Sequence, residues 1–93
     1  AIKGNLHGNT MLQAASLAED QIEDIRNTAY DDISYASNPF IEGNLGESGT
    51  YTRETFVETD APLPDLKRVT VTVRWQTDRP HQVVLRTIVA NGD

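Results

Sequence analysis

The side chains that most often do chemistry are few in this chain and set far apart. Its two histidines, His7 and His81, fall on different predicted elements, and there is no cysteine. A zinc site needs closely spaced His and Cys ligands, so the spacing argues against one and places both histidines at the surface. Asp31 and Asp32 are adjacent carboxylates, but neighbours in sequence diverge on a helix, and no apolar pocket is apparent that would raise one pKa for acid–base work. The serines at 16, 34, 37 and 48 lack a Gly-x-Ser-x-Gly elbow, and Gly43-Asn44-Leu45-Gly46 leads into a strand rather than a helix, so it is not a phosphate loop. Two acidic loops, Glu42 to Glu47 and Glu58-Thr59-Asp60 with Asp65, offer oxygen ligands for calcium but lack EF-hand spacing, and turn chemistry accounts for them better. No catalytic constellation emerges, and no metal or cofactor is expected.

Charge separates along the chain. The net charge is −6, which argues against nucleic acid as a partner. Residues 1–65 carry 12 acids against Lys3, Arg26 and Arg53, a balance of −9, whereas residues 66–93 carry five bases against Asp78 and Asp93, a balance of +3. Such polarity suits contacts between copies or relatives, and equally well a helix and sheet that complement each other within one chain.

The elements that must position these groups follow from hydrophobic spacing. Ninety-three residues make one domain with one core. An apolar share of 38% favours one or two helices against a small sheet rather than a deep two-sided core, with at least one face wet. Met11, Ala15, Ala18, Ile22, Ile25 and Ala29 recur at steps of four and three, with Ile33 one step further, and Glu19, Asp20, Glu23, Asp24 and Arg26 lie opposite. This predicts a long N-terminal helix over about 5–33, with Glu23 and Arg26 placed to pair. Thr10-x-x-Gln13 resembles a capping box, but Ile2 and Leu6 carry the stripe upstream of it. Residues 36–49 hold three glycines and Pro39 and predict a loop anchored by Phe40, Ile41 and Leu45. Alternation then predicts strands at about 50–58, 68–75 and 82–90, the second showing Val69, Val71, Val73 and Trp75 on one side. The expected fold is α+β, a long N-terminal helix packed on a three-stranded antiparallel sheet in a single domain spanning 1–93. Trp75 is expected to cap the core at the last hairpin, with an exposed partner contact as the alternative.

Two segments together resemble the soluble heads of type IV pilins. The Ala-x-x-Leu-Ala-x-x-x-Ile-Glu-x-Ile-Arg run from Ala14 to Arg26, within 5–30, is similar to the post-membrane half of a pilin or type II secretion pseudopilin helix. The strands ending at Trp75 and running from Val83 to Val89 are similar to the closing strands of minor pilins of the pilus-modification class and of I-class minor pseudopilins. The resemblance implies a hydrophobic helix upstream of Ala1, following a prepilin leader with a Gly cleavage site and a Glu five residues beyond the cut. It implies a non-catalytic subunit that helps to assemble, initiate or cap a filament, with other pilins or pseudopilins as partners and a periplasmic head anchored to the inner membrane only through that upstream segment. Ile2, Leu6, Leu12 and Leu17 on the helix, with Arg68 and Arg74 on the sheet, become the expected subunit interface, and Arg86 joins them in facing an acidic helix of a neighbour. The competing expectation is a stand-alone module that binds proteins through its sheet edge or the Trp75 hairpin.

Overall fold

The computed structural model describes residues 6–46 and 49–92, and side chains from Thr10 onward, so Ile2 and the side chains of Leu6 and His7 lie outside the described residues. One helix, α1 (Leu6–Arg26), is followed by a single 3-10 turn at Tyr30–Asp32. Four strands come next: β1 (Phe40–Leu45), β2 (Tyr51–Thr59), β3 (Leu66–Gln76) and β4 (Pro80–Ala90). They form one antiparallel meander in the order β1-β2-β3-β4, and α1 lies mainly across β3 and β4.

The expected three-stranded sheet is thus corrected to four strands, because the predicted loop 36–49 contains β1. Its Phe40, Ile41 and Glu42 pair with Thr55, Glu54 and Arg53, after which the register slips before Leu45 meets Tyr51. Gly43 and Asn44 sit in that irregularity, Asn44 at φ 56°, which is why the segment carries turn composition while still pairing. Asn38 extends the edge without a strand backbone: its side-chain amide donates to Val57 O at 2.9 Å and accepts from Val57 N–H at 3.0 Å. Gly46, at φ 81°, closes the strand beneath Tyr51, where a Cβ would stand 2.6 Å from the ring.

The helix also ends earlier than expected. Arg26 is its last residue, Ala29 is extended at ψ 144°, and the 3-10 turn rather than a further helical turn delivers Ile33 to the core at 2% exposure. Thr28 Oγ1 donates to Asp24 O at 2.7 Å and closes the helix end. Beyond it, Lys67 Nζ donates to Tyr30 O and Ile33 O, at 2.6 and 3.1 Å, and sits 4.5 Å over the Tyr30 ring. Two carbonyls that a longer helix would have used internally are held by a lysine of β3 instead.

The buried stripe of α1 is rotated from the expected one. Ala14, Ala18, Gln21 and Ile25 are buried, Ala15 and Ile22 are half-buried, Met11 is 48% exposed, and Ala29 lies beyond the helix. Ala14 and Ala18 are fully buried against Val69, Val71 and Val73, because their small side chains let the helix backbone approach the sheet closely. Thr10 lies inside α1 rather than capping it, and its carbonyl accepts a hydrogen bond from Tyr51 Oη at 3.2 Å. Glu23 and Arg26 do not form an ion pair; Arg26 Nε instead donates to Thr87 Oγ1 at 3.3 Å, tying the helix end to β4.

Candidate functional site

Strand alternation sorts the sheet into two faces. The inner face, under α1, carries Val69, Val71, Val73 and Trp75 of β3, with Thr55 and Val57 of β2. Three polar side chains work within this interface. Gln21 Nε2 donates to Tyr35 Oη at 2.9 Å and to Thr55 Oγ1 at 3.0 Å. The guanidinium of Arg53 grips Glu42 through Nε and Nη2 at 2.9 and 3.1 Å, and its Nη1 donates to Leu17 O at 2.9 Å. Lys67 is the third, at the opposite end. The sequence carries a weak signal for two of them: Gln21 falls in line with Ala14, Ala18 and Ile25, and Arg53 shares a strand face with Tyr51, Thr55 and Val57.

Burial pushes the hydroxyl pKa values of Tyr35 and Tyr51 above the ordinary tyrosine value; at Tyr35 the hydrogen bond from Gln21 opposes part of that rise. Desolvation also raises Tyr30, helped by the carboxylates of Asp60, Asp65 and Asp31.

The outer face carries the charged ladder. Arg68 holds Glu58 at 2.8 and 3.0 Å, and Arg74 holds Glu54 at 2.7 Å. The hydrogen bond from Arg68 keeps the Glu58 carboxyl below the usual glutamate range. The two arginines expected to reach a neighbouring subunit therefore already meet carboxylates of the adjacent strand. Arg86 faces the same side beside Glu58 and Phe56 in a shallow depression of about 530 Å³. Exposed Phe56, Ile41 and Ile88 share this face with the ion pairs.

The helical candidates separate in the same way. Leu17 packs against the core, whereas Leu12 is 67% exposed beside exposed Met11 in the first turns of α1. Trp75 is only 6% exposed, between Tyr51 at 5.7 Å and a stacked His81 at 5.2 Å, so the hairpin presents no indole to a partner. Its Nε1 is buried without a hydrogen-bond partner among the described residues. His81 Nε2 lies 3.0 Å from Thr77 Oγ1.

The acidic loops are spent locally. Glu42 is held by Arg53, and Asp60 Oδ1 accepts the Asp65 backbone N–H at 3.1 Å, while Glu47 lies outside the described residues. Among the described residues no three His, Asp or Glu side chains converge as metal ligands. Asp31 and Asp32 are exposed on the 3-10 turn. No helix among the described residues is long and apolar enough to cross a membrane. No family model, curated protein or solved structure matches this chain.

Proposed function

We propose that this chain is the head of a pilin-like assembly subunit, a minor pilin or type II secretion pseudopilin that acts without catalysis. The observation that carries the reading is the pair Met11 and Leu12, 48% and 67% exposed on adjacent positions of α1, just ahead of the buried Ala14 and Ala18. Large apolar side chains left exposed on the side of a helix that its own sheet does not cover are suited to pack against a neighbour's helix. The neighbour's contact in this reading lies on that apolar helix face, since Arg68 and Arg74 already pair with Glu58 and Glu54 within the sheet. In this reading the head lies in the periplasm, on a subunit anchored in the inner membrane by a segment upstream of Ala1.

The coding sequence upstream of Ala1 tests this. A leader followed by an apolar stretch of about 20 residues, running directly into Ile2, is the expected result. A reading frame that opens near Ala1 would overturn the proposal.

A further inference from the structure

The two edges of the sheet are built differently. β1 is six residues long, broken by a register slip, and bordered by the Asn38 side chain. Those are ordinary means of preventing another strand from pairing. β4 has none of them: it runs 11 residues, keeps continuous register with β3 from Pro80 to Ala90, and has its only proline at its first position. Arg86 is its one permanently charged residue. Among the described residues β4 has no strand on its other side, and no backbone hydrogen bond from a loop or turn reaches Pro80–Ala90.

Along this edge runs a groove of about 570 Å³ between α1 and β4. Half-buried Ile22 and Leu85 form its apolar floor, and exposed Glu19, Asp20 and Glu23 stand on the helix side. Arg26, the one cation lining it among the described residues, bonds to Thr87.

We propose that the β4 edge and this groove capture an extended basic polypeptide segment as a fifth strand. Backbone pairing supplies the affinity, and alternate side chains of the guest point into the groove. Lysine or arginine suits those positions, since the aliphatic stem covers Ile22 and Leu85 while the charged head reaches Glu19, Asp20 or Glu23. A second copy fits poorly. Antiparallel β4–β4 pairing about a two-fold axis places both helices on one face with their acidic flanks opposed, and the inward side chains of β4 (His81, Val83, Leu85, Thr87, Val89) bring no permanent cation. This inference goes beyond the assembly reading and holds for a filament subunit or a free-standing domain alike.

The probe is the peptide acetyl-Thr-Lys-Val-Lys-Val-Lys-Thr-amide, titrated into the full chain and followed by amide hydrogen exchange and NMR shifts. Slowed exchange over Pro80–Ala90 is expected, with affinity falling as salt rises and no binding by the analogue with glutamate for lysine. The Glu19→Lys/Glu23→Lys double variant changes only exposed side chains and should bind the probe about tenfold more weakly at unchanged melting temperature. Protection at β1, an affinity within twofold of the parent in that variant, or β4 protection that grows with protein concentration and no peptide would each overturn the proposal. So would the absence of binding at millimolar peptide.

Discussion

Gln21 of α1 donates its side-chain amide to Thr55 of β2 across 3.0 Å, at 5% and 0% exposure, inside the helix–sheet interface. The same nitrogen reaches Tyr35 Oη, so one glutamine joins the helix, the segment before β1 and the sheet. A buried donor satisfied twice is worth little net, but its removal strands two hydroxyls. Gln21→Ala is therefore expected to cost about 2 kcal/mol in chemical denaturation. It should also raise the Tyr35 pKa further in an ultraviolet titration, because the lost bond favours the phenolate. The raised folded-state value means that Tyr35 contributes stability below the ordinary tyrosine value of 10.0, and this is lost as pH climbs through the folded value. A cost below about 0.5 kcal/mol would show that the network is dispensable.

Arg53 is the bolt between the edge strand and the helix. Arg53→Lys keeps the charge but cannot hold both oxygens of Glu42 and Leu17 O together. Amide exchange across Phe40–Leu45 should accelerate well beyond that of β3, with a global loss of about 1–2 kcal/mol. Uniform acceleration of all strands would mean that β1 does not depend on this clamp.

Acid sensitivity should trace in part to Glu58. Its depressed folded-state pKa makes the Arg68 contact fully stabilising above the ordinary glutamate value of 4.5, and the contribution is lost as pH falls through the lower folded value. Glu58→Gln should flatten the decline of melting temperature below that pH relative to the parent. Parallel curves for the two proteins would rule out this source.

Close approach at Ala18 should make it intolerant of volume. Ala18 is 0% exposed against the valines of β3, so Ala18→Leu is expected to destabilise by about 1–3 kcal/mol, although leucine is a good helix former. An unchanged or higher melting temperature would show that the helix–sheet spacing can relax.

The sheet's inner and outer faces at β3 were legible in the sequence, because alternation along Val69 to Trp75 is a property of one strand and needs no partner to be read. The presence of an amphipathic helix was legible for the same reason. Its facing was not. Ala18 and Ile25 belong to both candidate stripes, but the more apolar one through Met11, Ala15 and Ile22 gave way to the one through Ala14 and Gln21, whose small side chains fit against β3 and whose Gln21 found Tyr35 and Thr55.

Non-local partners decided the remaining features. Residues 40–45 have the composition of a turn, and they form a strand because β2 supplies the ladder, Arg53 holds Glu42, and Asn38 covers the next position. The helical spacing running on to Ile33 is overridden at Ala29 because Lys67, 34 residues beyond Ile33, gives two carbonyls a better partner than another helical turn. Likewise, Arg68 and Arg74 carry charges visible in the sequence, but only strand register brought them to Glu58 and Glu54. Periodicity within a segment is set by local backbone geometry and can be read from the chain; which edge remains open and which charge remains unmet are properties of pairings between distant segments, and these exist only once the chain has folded.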